Sequence, residues 1–283
     1  MTLIIAHRGA RSLAPENTLA AARKAMEVGA DLWETDVVVT SDGEPILLHD
    51  DSLVRTTNVK DRFPDRDPWH FTTFTLGEIR SLDAGSWFAE TDPFGRIAAR
   101  VVTDEDLLAY RNEKIPTLSE ALCFTQEASF YVNLELKRLP PPMENFPMVE
   151  RVLAVIDDAG IDYERVIISS FNHEWLREVR ARNPSLAIQA LAGYSETDSL
   201  DWETLEFETY NVLNTLIDEK QVRALTERGI SINLFTVNEE DEMLRFTEAG
   251  AAGLITDFPQ RATKNSKNRD TPLFLTKNRK TGE

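Results

Sequence analysis

Four times along this chain an amphipathic stretch ends in a glycine and a short apolar run follows within a few residues, at Gly29, Gly160, Gly229 and Gly250. A glycine there suits the left-handed residue that closes a helix. Helical patterns cover 16–28, 146–159, 172–182, 218–228 and 239–249, with Asn172, Asp218 and Asn238 placed as N-caps. Strand-like runs cover 3–7, 32–39, 45–49, 130–136, 165–171, 186–192, 208–214, 231–237 and 252–256. Alternation of this kind requires parallel strands joined by helical crossovers. Nine runs exceed an eight-strand cylinder by one, and a single connection accounts for the surplus. Only Thr40-Ser41-Asp42-Gly43-Glu44-Pro45 separates Val39 from Ile46, too few residues for a parallel crossover. Asp42-Gly43 predicts a two-residue hairpin turn that pairs Ser41 with Glu44, which sets Val37 against Leu48 and Asp36 against His49. The expected fold is α/β: a (β/α)8 TIM barrel with an antiparallel hairpin at about 37–49, spanning residues 1–260.

The segment 51–115 interrupts the alternation with Phe63, Trp69, Phe71, Phe74, Trp87 and Phe88 and no clean period. It reads as a small insertion at the barrel mouth, either a cap or a purely structural excursion. Residues 261–283 carry a net charge of +5, whereas the chain as a whole stands at −17, so this end is expected to be a basic, flexible tail. The acidic body disfavours nucleic acid and anionic membrane surfaces. A single cysteine rules out an internal disulfide and a thiolate zinc cluster. The N-terminus lacks a basic signal region and no run is long enough to span a bilayer, so a cytoplasmic setting without stable membrane association is expected. Oligomeric state is not readable from the sequence.

Polar residues gather at the strand ends, where a barrel of this class carries its chemistry. The first strand runs into His7-Arg8, the second carries Glu34-Thr35-Asp36, the hairpin returns to His49-Asp50, and Val132 to Lys137 aims Glu135 and Lys137 to one face. Burying such groups among apolar neighbours is costly unless they pair or bind a metal. Glu34, Asp36 and Glu135 form an all-oxygen set suited to one hard divalent cation, Mg2+ or Ca2+, with Mn2+ also compatible. His7 and His49 are candidates for acid–base work, and Arg8 and Lys137 supply positive charge for a phosphate. His70 and His173 read as ordinary histidines, and Cys123, within Ala121-Leu122-Cys123-Phe124, reads as a core residue. Neither a Gly-x-Ser-x-Gly elbow nor a Gly-x4-Gly-Lys-Ser/Thr loop is present.

These residues, with Pro15-Glu16-Asn17-Thr18, Asp42-Gly43, Asp83-Ala84-Gly85-Ser86-Trp87-Phe88, Ile115-Pro116-Thr117-Leu118, Ser170-Phe171, Thr236-Val237-Asn238 and Ile255-Thr256-Asp257, resemble the glycerophosphodiester phosphodiesterase family over nearly all of 3–260. Phe235 stands where that family often has Trp, and Thr35 where an apolar residue is commoner. The resemblance implies metal-dependent hydrolysis of a glycerophosphodiester to glycerol 3-phosphate and an alcohol. It casts His7 and His49 as the general acid–base pair, Glu34, Asp36 and Glu135 as metal ligands, and Arg8 and Lys137 as phosphate contacts. Glu16 and Asn17 would shape the site or orient His7, Asp50 would bind metal or a glycerol hydroxyl, and Phe171 and Phe235 would wall the glycerol or simply pack. Two other readings stay open: a related barrel that cleaves phospholipid headgroups with release of a cyclic phosphate, and a non-catalytic barrel that binds glycerophosphate.

Overall fold

Eight parallel strands close a cylinder in the computed structural model, which describes residues 1–263. They are β1 (Leu3–Ala6), β2 (Leu32–Val39), β4 (Val132–Leu136), β5 (Val166–Ser170), β6 (Ala187–Ala192), β7 (Thr209–Leu213), β8 (Ser231–Phe235) and β9 (Gly253–Thr256). Closure comes from β1, which pairs with β2 on one side and β9 on the other. The ninth strand, β3 (Pro45–Leu47), runs antiparallel to β2 alone. Every residue of β2 is buried, because one face meets the helices and the other the barrel interior. The (β/α)8 expectation therefore holds.

The hairpin register differs from the expected one by a single residue. Val37 pairs with Leu47 and Val38 with Ile46, and the Leu48 amide donates to the Asp36 carbonyl at 3.1 Å. Three residues form the loop, not two. Thr40 and Glu44 face each other across it, and Gly43 takes φ 84°. A three-residue loop with a left-handed glycine at its end is the other common hairpin solution. The Thr40 hydroxyl selects it, accepting from the Glu44 amide at 3.0 Å and donating to Asp42 at 2.6 Å.

Helices α1 (Leu19–Glu27), α6 (Leu118–Glu127), α7 (Met148–Ala159), α8 (His173–Arg182), α9 (Glu219–Glu227) and α10 (Glu240–Glu248) fill the crossovers. The four helix-ending glycines have φ between 60° and 92°. Asp218 caps α9 through the Lys220 and Gln221 amides, whereas the Asn172 side chain makes no cap bond. Asn238 is not a cap at all, since α10 begins one residue later, after Glu239. Between β6 and β7 no helix forms. There Asp198 and Asp201 bond nearby backbone amides, a local alternative to helix, while Leu200, Trp202 and Leu205 cover the outside of the sheet.

The 51–115 insertion contains four short helices, α2 (Val59–Arg62), α3 (Leu76–Arg80), α4 (Ser86–Thr91) and α5 (Asp104–Tyr110). Thr75 and Thr103 open α3 and α5 with capping boxes. Phe71, Phe74, Ile79, Leu82 and Phe88 are buried and continuous with the barrel's outer core. The insertion's α5 lies beside α1, where Lys24 meets Asp106 at 3.1 Å, and the Tyr110 hydroxyl donates to the Leu13 carbonyl. Arg55 reaches the rim, where it meets Glu16 and Asp50, and Thr56 and Ala84 line a cavity there. Cys123 corrects its sequence assignment: it is exposed on α6, because Ala121, Leu122 and Thr125 occupy that helix's buried face. Of the tail, residues 264–283 lie outside the described residues. Arg261 belongs instead to α11 (Pro259–Thr263), with its guanidinium 3.9 Å from the Phe258 ring centroid and donating to the Asn238 carbonyl.

Candidate active site

Glu34, Asp36 and Glu135 meet inside the C-terminal end of the barrel, each offering one carboxylate oxygen within 4.8 Å of the others. Parallel register produces this arrangement, since Asp36 pairs with Glu135 across β2 and β4, and Glu34 lies two residues back on the same face. Burial and the two neighbouring carboxylates push Glu34 well above the ordinary carboxyl range. Burial also raises Glu135. Burial opposes ionisation of Asp36 too, but Lys137 and Arg8 beside it outweigh that cost and hold it low. Glu34 accepts from the Arg8 amide at 2.9 Å through Oε2, while its buried Oε1 has no partner. A buried carboxylate oxygen turned toward two others matches an all-oxygen cation site.

Asn17 fixes the second of these acids. Its Nδ2 donates to Asp36 Oδ2 at 2.9 Å, and its Oδ1 accepts from the Thr35 hydroxyl and the Asp36 amide. The Asn17 backbone has φ 55°, a conformation Asn tolerates better than most residues. Of the two expected roles, shaping the site or orienting His7, the bonds of Asn17 to Asp36 fit the first. Glu16 collects Arg8 at 2.9 Å, Arg11 at 2.7 Å and Arg55 at 2.7 and 2.9 Å. Burial works against its charge, yet the three guanidiniums lower it to about 2. Arg8 also lies 3.3 Å from Asp36, and Lys137 lies 3.0 Å from Glu135 and 3.5 Å from Asp36. Both cations border the triad.

Two histidines flank it, each against a carboxylate. His7, following β1, places Nδ1 2.7 Å from Asp257 Oδ1, following β9. Burial, more than this partner, sets its basicity, and holds the imidazole below the ordinary histidine value. Asp257 is itself held by Asn238 Nδ2 at 2.9 Å. His49, beyond β3, places Nδ1 2.8 Å from Asp50 Oδ1. Asp50 therefore contacts His49. A small cavity beside His49 is lined by Glu16, Asn17 and the insertion's Thr56 and Ala84. Phe171 and Phe235 end β5 and β8 in an edge-to-face contact with centroids 6.1 Å apart, and Tyr194 adds a second edge against Phe171.

Asp257, Asn238, Arg11 and Arg55 gained no site role from the sequence. A position at a strand's C-terminal end was the available signal for Asp257. Arg55 sits in the aperiodic insertion and carried no such signal. His70 and His173 stand outside the cluster, bonded to the Asp51 and Leu191 carbonyls.

Acids, imidazoles and cations gathered at the C-terminal rim define a barrel enzyme equipped to receive an anionic group. Residues 7–261 match the glycerophosphoryl diester phosphodiesterase family model. A glycerophosphodiester phosphodiesterase of Caldanaerobacter subterraneus subsp. tengcongensis is 35% identical over 264 residues, 92% of this chain and 95% of that one. One of Bacillus subtilis is 31% identical over 268 residues, 91% of this chain and 84% of that one. Among solved structures, a phosphodiesterase of Oleispira antarctica in complex with the product sn-glycerol-3-phosphate superposes with a TM-score of 0.75 at 29% identity, covering 94% of this chain and 98% of that one. The chain belongs to the glycerophosphodiester phosphodiesterase family, and with it to the phosphoric diester hydrolases. No helix among the described residues is long and apolar enough to cross a membrane.

Proposed function

We propose that this enzyme hydrolyses a glycerophosphodiester to glycerol 3-phosphate and an alcohol, using His7 and His49 for proton transfer and a divalent cation held by Glu34, Asp36 and Glu135. One observation carries the reading: three converging acids, one with an unpartnered buried oxygen, share the strand-end rim with two imidazoles that each rest on a carboxylate. When bound, a divalent cation supplies charge neutralisation at a phosphate oxygen. Mg2+, Ca2+ and Mn2+ all fit an oxygen donor set.

The protein's own groups do the rest. Asp257 and Asp50 each accept from an imidazole Nδ1–H, which leaves Nε2 of His7 and His49 free to exchange a proton. One takes the proton of the attacking oxygen and the other protonates the departing alcohol oxygen; water gives glycerol 3-phosphate directly, whereas the substrate's own 2-hydroxyl gives a cyclic phosphate that water then opens to the same product. Each transfer contributes roughly 10²–10⁴ in rate. Arg8 and Lys137 border the acids and offset the charge of an incoming phosphate. Phe171 and Phe235 give the glycerol backbone an apolar wall.

A coupled assay for glycerol 3-phosphate, run over glycerophosphocholine, glycerophosphoethanolamine and glycerophosphoinositol with each divalent ion, tests this reading. Release of glycerol 3-phosphate that requires a divalent ion is expected. Its absence from every substrate overturns the activity, and full turnover in excess chelator overturns the metal site.

A further inference from the structure

We propose that Arg55 is a positioning residue for this reaction, joining the insertion to both halves of the site through one guanidinium. The inference rests on the reading of His49 as a proton-transfer group. Arg55 Nε lies 2.6 Å from Asp50 Oδ2 and Nη2 lies 3.0 Å from Asp50 Oδ1. The same group reaches Glu16 through Nη1 at 2.9 Å and Nη2 at 2.7 Å. All three of its nitrogens are therefore committed, and two carboxylates from different elements are gripped in the plane of one fork.

What those carboxylates do gives the contact its meaning. Asp50 Oδ1 also receives His49 Nδ1 at 2.8 Å, so Arg55 fixes the oxygen that orients the imidazole. Glu16 also receives Arg8 at 2.9 Å, which in turn lies beside Asp36. His49 follows β3, which pairs with β2 on one side and meets Pro116 and Thr117 on the other, and neither backbone contact by itself determines the ring's direction. Arg55 supplies the missing constraint. Its guanidinium lies 6.0 Å from the Trp87 ring centroid, which ties it to α4 of the insertion. The insertion thus acts on the chemistry through a side chain aimed at the orienting acid, without touching substrate.

Lysine keeps the charge but cannot hold two carboxylates in one plane. Arg55→Gln is expected to lower kcat roughly 10- to 100-fold with KM moving far less, and Arg55→Lys to recover part of the loss. Because Arg55 acts through Asp50, the Arg55→Gln/Asp50→Asn double variant should lose little more than the worse single variant. The ring 15N shifts of His49 should change in Arg55→Gln at fixed pH, a readout that needs no turnover. Circular dichroism verifies folding, and if Arg55→Gln is unfolded, Arg55→Lys carries each measurement. Wild-type kcat in the variant, multiplied losses in the double variant, or unchanged His49 shifts overturn the proposal. Absence of turnover in the wild type overturns the proposed function instead, and the 15N shifts still decide the role of Arg55.

Discussion

His7 and Asp257 stand 250 residues apart in the chain, yet their side chains meet at 2.7 Å, because β1 and β9 are neighbours at the seam that closes the barrel. The contact places the imidazole in one tautomer and aims its second nitrogen away from the carboxylate. His7→Ala should lower kcat roughly 10²–10⁴-fold while far-ultraviolet circular dichroism stays native, and His49→Ala likewise. Asp257→Asn should also lower kcat, by releasing the tautomer, with the histidine still in place. Near-native turnover in any of the three variants removes the assignment.

Ionised together, the three buried acids would repel one another, a strain that a bound cation would relieve. Glu34→Gln should therefore raise the thermal midpoint of the protein in excess chelator, by the equivalent of about 1–2 kcal/mol, while abolishing rescue of activity by added Mg2+, Ca2+ or Mn2+. Calorimetry in chelator, paired with add-back assays, tests both halves. A lowered midpoint in chelator would show that the acids do not repel one another.

Asn17 holds Asp36 through two hydrogen bonds and Thr35 through a third, and keeps a left-handed backbone. Asn17→Ala leaves the aspartate short of a donor and puts a residue that tolerates the left-handed conformation less well than asparagine at φ 55°. Loss of about 1–3 kcal/mol of stability is expected, with divalent-ion affinity weakened roughly 10- to 100-fold. Urea unfolding and calorimetric ion titration measure the two effects separately.

Glu16 gives the fold an acid-sensitive joint. Its carboxyl falls from the ordinary 4.5 to about 2 on folding, so its contribution is complete above pH 4.5 and is lost as pH drops toward 2. The full contribution is about 3 kcal/mol. Glu16→Gln should be less stable at pH 7 and show a flatter stability curve between those limits. Urea unfolding at pH 6, 4 and 3 checks the slope, and an unchanged slope argues against the ion pairs.

Much of this was written in the residues themselves. Helix-ending glycines and short apolar runs disclosed the barrel, since each reports a local backbone need. Glu34-x-Asp36 and Glu135-x-Lys137 disclosed the acid cluster because period-two spacing fixes a shared face. The hairpin register is not legible because Asp42-Gly43 fits two loop lengths, and the Thr40 hydroxyl decides between them only in three dimensions. Asn238 suits a cap by residue type, whereas it braces Asp257 across two strands. The apolar neighbours of Cys123 point inward, although helical phase turns the cysteine itself outward. Arg55 was unreadable for a different reason: its value lies in partners from two other segments, and no local period encodes them.

Because β3 hydrogen-bonds within the sheet to β2 alone, the barrel closes without it. The three acids ride on strands of the closed ring, whereas His49 follows a buried strand outside it, held between β2 and the segment that opens α6. Sequence changes in that strand and in the insertion beyond it can therefore alter what surrounds His49 while the enclosed ring of strands stays as it is.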